Sequence, residues 1–215
     1  MDRPSAVKRL CDKGIVAVVR ADSSQQLLDV ARALLGGGVD CIEITMTTPN
    51  ALEVIRQCRR ELGDSALVGV GTVLDAETAA RALEAGSQFV VSPVLEPAVI
   101  QAAHAAGVPA VAGAFSPTEI LAATRLGADL VKVFPATKLG PGFFKDILAP
   151  MPFLRLTPTG GVDLINAADF IRAGAATLGV GSSLVDKKAV KAGDFDSIRR
   201  LAEQFVHAVA QGRGR

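Results

Sequence analysis

The sequence has no tryptophan and no tyrosine, and its aromatic content of 4% is all phenylalanine. Stacking platforms for nucleic-acid bases are therefore scarce. Basic and acidic residues number 23 and 22, a formal net charge of +1, and no dense basic block occurs. Neither nucleic acid nor a membrane surface is expected as a partner. The two histidines, His104 and His207, lie in helix-like stretches, which argues against a histidine-built zinc site. Cys11, Cys41 and Cys58 are an odd number without Cys-x-x-Cys spacing. That fits a reduced, cytoplasmic protein without a disulfide framework. No apolar run reaches the ~20 residues of a membrane span. The opening Met1-Asp-Arg-Pro-Ser5 reads as the start of a charged amphipathic stretch, not a secretory leader.

What is present is an apolar chain with a period. Of 215 residues, 49% are hydrophobic, with a mean hydropathy of +0.35. That suffices for one well-cored domain over 1–215. Short strand-like runs begin near Ile15, Cys41, Ala66, Gln88, Pro109, Asp129, Arg155 and Thr177. Between them lie stretches with helical spacing, such as Leu27, Leu28, Val30, Ala31, Leu34 and Leu35. Many of these helices end in glycine (Gly86, Gly107, Gly127, Gly174), which supplies the left-handed residue that stops a helix. Ser116-Pro-Thr-Glu119 is a capping box with proline at the first helical position. Eight alternations without a composition break predict an α/β fold, a (β/α)8 TIM barrel with an extra N-terminal helix before Ile15 closing its bottom. An open doubly wound sheet is the alternative. The missing Gly-x-Gly-x-x-Gly turn after the first strand weakens its dinucleotide-binding version.

In a barrel, the carboxyl ends of the strands carry the chemistry. Here those ends read Arg20, Glu43 with Thr45, Thr72, Ser92-Pro93, Gly113, Lys132, Thr159-Gly-Gly161 and Gly181-Ser-Ser183. Nearly all are polar or glycine. Lys132 sits in Leu130-Val-Lys-Val-Phe134, an apolar run. Alternation puts Leu130, Lys132 and Phe134 on one face and Val131 and Val133 on the other. An ammonium in a buried strand is costly unless paired or kept neutral. A neutral, desolvated lysine is a carbonyl-trapping nucleophile, which suggests Schiff-base chemistry. Val131, Val133 and Phe134 are expected to supply the desolvation. Glu43, in Cys41-Ile-Glu-Ile-Thr45, has the same setting and suits a proton shuttle acting through a water. The bland alternative is a buried ion pair that only fixes the fold. Arg20 is either a solvated strand end or a bidentate carboxylate clamp. Thr72 follows Gly69-Val-Gly71, glycines that let a ligand approach the backbone, or it only shapes a turn. The Gly/Ser clusters at strands seven and eight match the usual phosphate site of barrels, with the phosphate resting on backbone N–H groups.

These residues, in this order and spacing, resemble the class I 2-keto-3-deoxy-6-phosphogluconate (KDPG/KHG) aldolases. The resemblance runs from Gly14-Ile-Val-Ala-Val-Val-Arg20 to Val180-Gly-Ser-Ser183. It includes Gly37-Gly-Val-Asp-Cys-Ile-Glu-Ile-Thr45, Val131-Lys-Val-Phe-Pro-Ala136 and Thr157-Pro-Thr-Gly-Gly161. It implies a homotrimer of barrels that splits a phosphorylated keto-deoxy sugar acid into pyruvate and glyceraldehyde 3-phosphate, with no cofactor and no metal. By that resemblance Lys132 forms the imine and Glu43 moves protons. Thr72 and Gly71 contact the pyruvyl carboxylate, and Thr159 touches the sugar chain. Gly160, Gly161, Gly181 and Ser182 hold the phosphate; Pro93 and Phe134 line the pocket. One departure stands out. Some relatives carry an arginine in a Glu-x-Thr-x-Arg-Thr pattern, where this chain has Thr47. Arg20 is the expected substitute. Aldolases for the galactonate epimer or for 4-hydroxy-2-ketoglutarate share most of these residues. A phosphate-binding module or a phosphosugar isomerase or decarboxylase is the rival class.

Overall fold

The computed structural model of the chain describes residues 1–20 and 24–214, the side chains of Ser24 and Gln25 excepted. Eight strands alternate with helices: β1 (Ile15–Val19), β2 (Cys41–Thr45), β3 (Leu67–Gly71), β4 (Val90–Val91), β5 (Ala110–Ala114), β6 (Leu130–Val133), β7 (Leu156–Pro158) and β8 (Leu178–Val180). They form one parallel sheet in the order β7-β6-β5-β4-β3-β2-β1-β8. A parallel bridge between Thr159 and Gly179 brings the two ends of that order together, so the sheet closes into a barrel. The expected strand starts fall within two residues of the observed ones. The largest shift is at β4, where the Gln88 side chain accepts the Val68 amide at 3.0 Å and so occupies a ladder position.

Alternation sorts the strand residues into two layers. Val68, Val70, Val131 and Val133 point outward and pack under the helices. Val16, Cys41, Leu67, Phe89, Val91, Val111 and Leu130 point inward. Inward glycines make this interior possible. A Cβ on Gly69 would lie 2.4 Å from the Phe89 ring, so any larger residue there evicts a fully buried phenylalanine. Burial of such a side chain is worth about 1.5–3 kcal/mol.

Helix α1 (Arg3–Lys13) plugs the amino-terminal end of the barrel. Asp2 caps it through the Ser5 amide, and Gly14, at φ 70°, stops it. Leu10 is buried among the inward residues. Three ion pairs fasten the plug: Arg3 to Asp129 at 2.9 Å, and Arg9 and Lys13 to Asp40 at 3.0 and 3.2 Å. Asp129 also accepts the Ala110 amide at 2.9 Å and lies 3.3 Å from His104 Nε2. The crossover helices obey their sequence signals. Gly86, Gly107, Gly127 and Gly174 all adopt φ between 71° and 99°, and Ser116 with Glu119 forms the complete capping box of α6 (Pro117–Arg125), the sixth helix in chain order.

Candidate active site

Lys132 lies on β6, in register with Gly113 of β5 and Thr157 of β7. Alternation sends its side chain inward, where it is 6% exposed. Its Nζ stands 5.1 Å from the centroid of the Phe134 ring, within cation–π range. The expectation about what desolvates it needs correction. Val131 and Val133 face the outer helices, because they occupy the opposite phase of the strand. The apolar wall comes from Phe89, Val91 and Val111 of neighbouring strands and from Leu130, two residues before the lysine on the same inward face. Phe134, beyond the end of β6, is 38% exposed and covers only the mouth side.

Glu43 projects into the same interior from β2 and is 3% exposed. Its Oε1 has no hydrogen-bond partner among the described residues. Burial raises the carboxyl above its ordinary value; the nearby Lys132 and Arg20 charges oppose that rise. A carboxyl perturbed upward by desolvation can carry a proton nearer neutrality than a free one. Gly71 makes room for this group: a Cβ there would sit 1.8 Å from Glu43 Oε1.

Above the lysine opens a chamber of about 330 Å³. Arg20, Thr72, Pro93, Lys132, Phe134, Thr159, Gly160, Gly161, Gly181 and Ser182 all line it, with Val18, Thr47, Val162, Gly179 and Ser183. Thr72 has φ 62°, a left-handed conformation that a β-branched residue avoids unless its surroundings impose it. Arg20 reaches the chamber from the exposed end of β1, and Thr47 lines the chamber with it. Gly160 and Gly161 adopt φ of 84° and 76°. The amides of Gly161, Ser182 and Ser183 donate to no other backbone carbonyl among the described residues, so they are available to an anion. Among the described residues, no three His, Cys, Asp or Glu side chains gather into a metal site.

Below the lysine lies a second, smaller cavity of about 20 Å³. It shares Lys132, Thr159 and Gly179 with the chamber and adds Glu43, Thr157 and Thr177. Sequence reasoning missed Val18, Val162, Thr157 and Thr177. The two threonines had a faint signal: they occupy the inward phase of their strands, where apolar residues would be expected.

The sequence profile of the family described as KDPG and KHG aldolase matches residues 7–201. The chain belongs to that family. The aldolase is therefore a lyase by membership. It is 38% identical over 196 residues to the 2-dehydro-3-deoxy-phosphogluconate aldolase of Treponema pallidum, covering 91% of this chain and 93% of that one. It is 36% identical over 184 residues to a probable 2-dehydro-3-deoxy-6-phosphogalactonate aldolase of Rhizobium meliloti, covering 85% and 86%. Its fold matches the crystal structure of a KDPG aldolase from Legionella pneumophila, with pyruvate captured as a covalent carbinolamine, at TM-score 0.86 and 27% identity over 94% and 97% of the chains.

Proposed function

We propose that this aldolase cleaves 2-keto-3-deoxy-6-phosphogluconate to pyruvate and glyceraldehyde 3-phosphate through an imine on Lys132. The observation that carries the assignment is the position of Lys132. It is nearly buried, aimed inward, and stands at the boundary between the substrate-sized chamber and the carboxyl of Glu43. The amine attacks the C2 ketone and the resulting carbinolamine loses water. The protonated imine then accepts the electron pair of the C3–C4 bond as the C4 hydroxyl gives up its proton. Glu43 receives that proton, and C3 of the enamine is protonated before water releases pyruvate from the lysine. Among the described residues no hydrogen bond reaches Glu43 Oε1, so it is available to a water or to the substrate hydroxyl. Arg20 is the carboxylate clamp at the mouth, and the free amides at Gly161, Ser182 and Ser183 hold the phosphate.

Borohydride reduction in the presence of pyruvate tests the assignment. A stable adduct that maps to Lys132 and disappears in Lys132→Ala is expected; a wild-type protein that forms none refutes it. Product assays on the gluconate- and galactonate-derived substrates separate the epimers, since relatives of both kinds are similar to this chain. A homotrimer completes the proposal. Leu74, Val94 and Phe115, which follow three adjacent strands, are exposed apolar side chains on the mouth rim that partner subunits would cover. Light scattering of wild type and Phe115→Asp reads the oligomer directly. The proposed location is the cytoplasm, consistent with Cys11, Cys41 and Cys58 all being free thiols.

A further inference from the structure

Two hydroxyls in the barrel interior have no assigned role. Thr157, on β7, and Thr177, just before β8, are 5% and 1% exposed. Neither Oγ1 has a hydrogen-bond partner among the described residues, and Glu43 Oε1 shares that condition. All three residues line the same cavity beneath Lys132, which Thr159 also borders; the other walls are apolar or glycine, among them Leu10 of the α1 plug, Phe89 and Leu130. Buried hydroxyls without partners are rare in folded proteins, and where they face a common space that space usually holds water. The cavity volume of about 20 Å³ exceeds the roughly 10–15 Å³ that one water needs. Each hydroxyl can donate one hydrogen bond and accept two, so together they meet a water's requirement for at least two polar partners.

The position of this site gives it a function. Lys132 and Thr157 are cross-strand partners in register, with both side chains turned inward. A neutral amine has two N–H donors and one lone pair. Nucleophilic attack requires the lone pair to face the chamber, so the N–H groups need acceptors elsewhere. We propose that one internal water, bound between Thr157 and Thr177, accepts an N–H of Lys132 from below and so aims the lone pair at the substrate ketone. Thr157 and Thr177 are positioning residues in this scheme, acting on the amine through the water. The proposal rests on Lys132 as the imine-forming residue.

Thr157→Val and Thr177→Val delete one hydroxyl each at nearly constant shape, and Thr157→Ser restores it. The measurements are the rate of pyruvate-dependent borohydride trapping and the KM-against-kcat split of the cleavage reaction. Thr157→Val is expected to slow trapping and kcat by roughly tenfold to a hundredfold, the order that follows from mis-aiming a reacting group, with KM within about twofold. Thr157→Ser is expected to recover most of the loss. A high-resolution crystal structure of the wild type is expected to show a water within hydrogen-bonding distance of both Oγ1 atoms. Trapping rates in both folded valine variants within twofold of wild type overturn the proposal. So does a wild-type structure with no water there, which decides the matter even if the variants do not fold. A wild type that traps no pyruvate at all defeats the lysine assignment itself, a result distinct from unchanged valine variants.

Discussion

Gly71→Ala isolates the packing on which the acid–base group depends. Gly71 is not in the left-handed region, so an alanine backbone is permitted there. The whole effect comes from the new methyl. It would lie 1.8 Å from Glu43 Oε1, 2.4 Å from Cδ and 2.7 Å from Cγ. A Cβ contact closer than 3.0 Å is essentially unknown, so the carboxyl must retreat by at least 3.0 − 1.8 = 1.2 Å. A displacement of ~1 Å in a reacting group can lower the rate about 100-fold. Forcing one methyl into a packed interior costs about 1–3 kcal/mol, or a Tm loss of roughly 2–12 °C at this chain length. A pyruvate-release assay reads kcat, and thermal or urea unfolding reads stability. The double variant separates this clash from a general loss of packing. In a Glu43→Ala background the three clashing atoms are gone, so adding Gly71→Ala should cost less than about 0.5 kcal/mol more. A Gly71→Ala enzyme with wild-type kcat, or a stability loss of the same size in both backgrounds, refutes the reasoning.

Three further outcomes follow from the same geometry. Arg20→Ala should raise KM for pyruvate about 10- to 100-fold in an exchange assay, as loss of one charge-assisted contact implies, and Arg20→Lys should recover only part because ammonium lacks the planar fork; unchanged exchange kinetics would remove Arg20 as the clamp. Glu43→Gln should change the pH dependence of stability. The carboxyl's ordinary value is 4.5 and burial raises it in the fold, so wild type loses stability as pH climbs from about 4.5 through the folded value. The glutamine variant should therefore gain on wild type in urea midpoint as pH rises, and the two should converge in acid; parallel curves would show that Glu43 is not desolvated. Asp129→Ala should cost about 2–4 kcal/mol, because it strands the buried Ala110 amide and releases Arg3 of α1; chemical denaturation checks this, and a loss under about 0.5 kcal/mol would show that the Asp129 contacts do not hold the plug.

The barrel was legible because its signals are local. Strand phase, helix period, terminal glycines and the Ser116 capping box each depend on a few neighbouring residues, and each appears where the sequence places it. Lys132 and Glu43 were legible for another local reason, a charge inside an apolar strand. What escaped depends on how strands stand beside one another. Gly71 opposes Thr45 and borders Glu43 only through the β2–β3 register, so its service to the carboxyl cannot be read along β3. The wall around Lys132 comes from Phe89, Val91 and Val111 of neighbouring strands and from Leu130 in the same inward phase, which is why Val131 and Val133, its immediate sequence neighbours, were the wrong residues. Thr157 and Thr177 look like ordinary strand formers until the closed sheet puts them under the lysine. The shortening of β4 required a side chain, that of Gln88, to stand in for a backbone partner.

The closure of the sheet also has a consequence in time. Strand β1 pairs on one side with β2 and on the other with β8. The floor beneath Lys132 combines Leu10 with Thr177, residues from opposite ends of the chain. A ribosome that has just released Lys132 has made neither Thr177 nor the glycines of the anion cup. At that stage the lysine is one more water-exposed amine on an unfinished sheet. The pocket that would distinguish it from the other lysines arises only as the last strand joins the first. Incomplete chains and proteolytic fragments therefore carry the sequence of the reactive segment without its environment, and carbonyl metabolites in the cell should meet a selective amine only on a completed molecule.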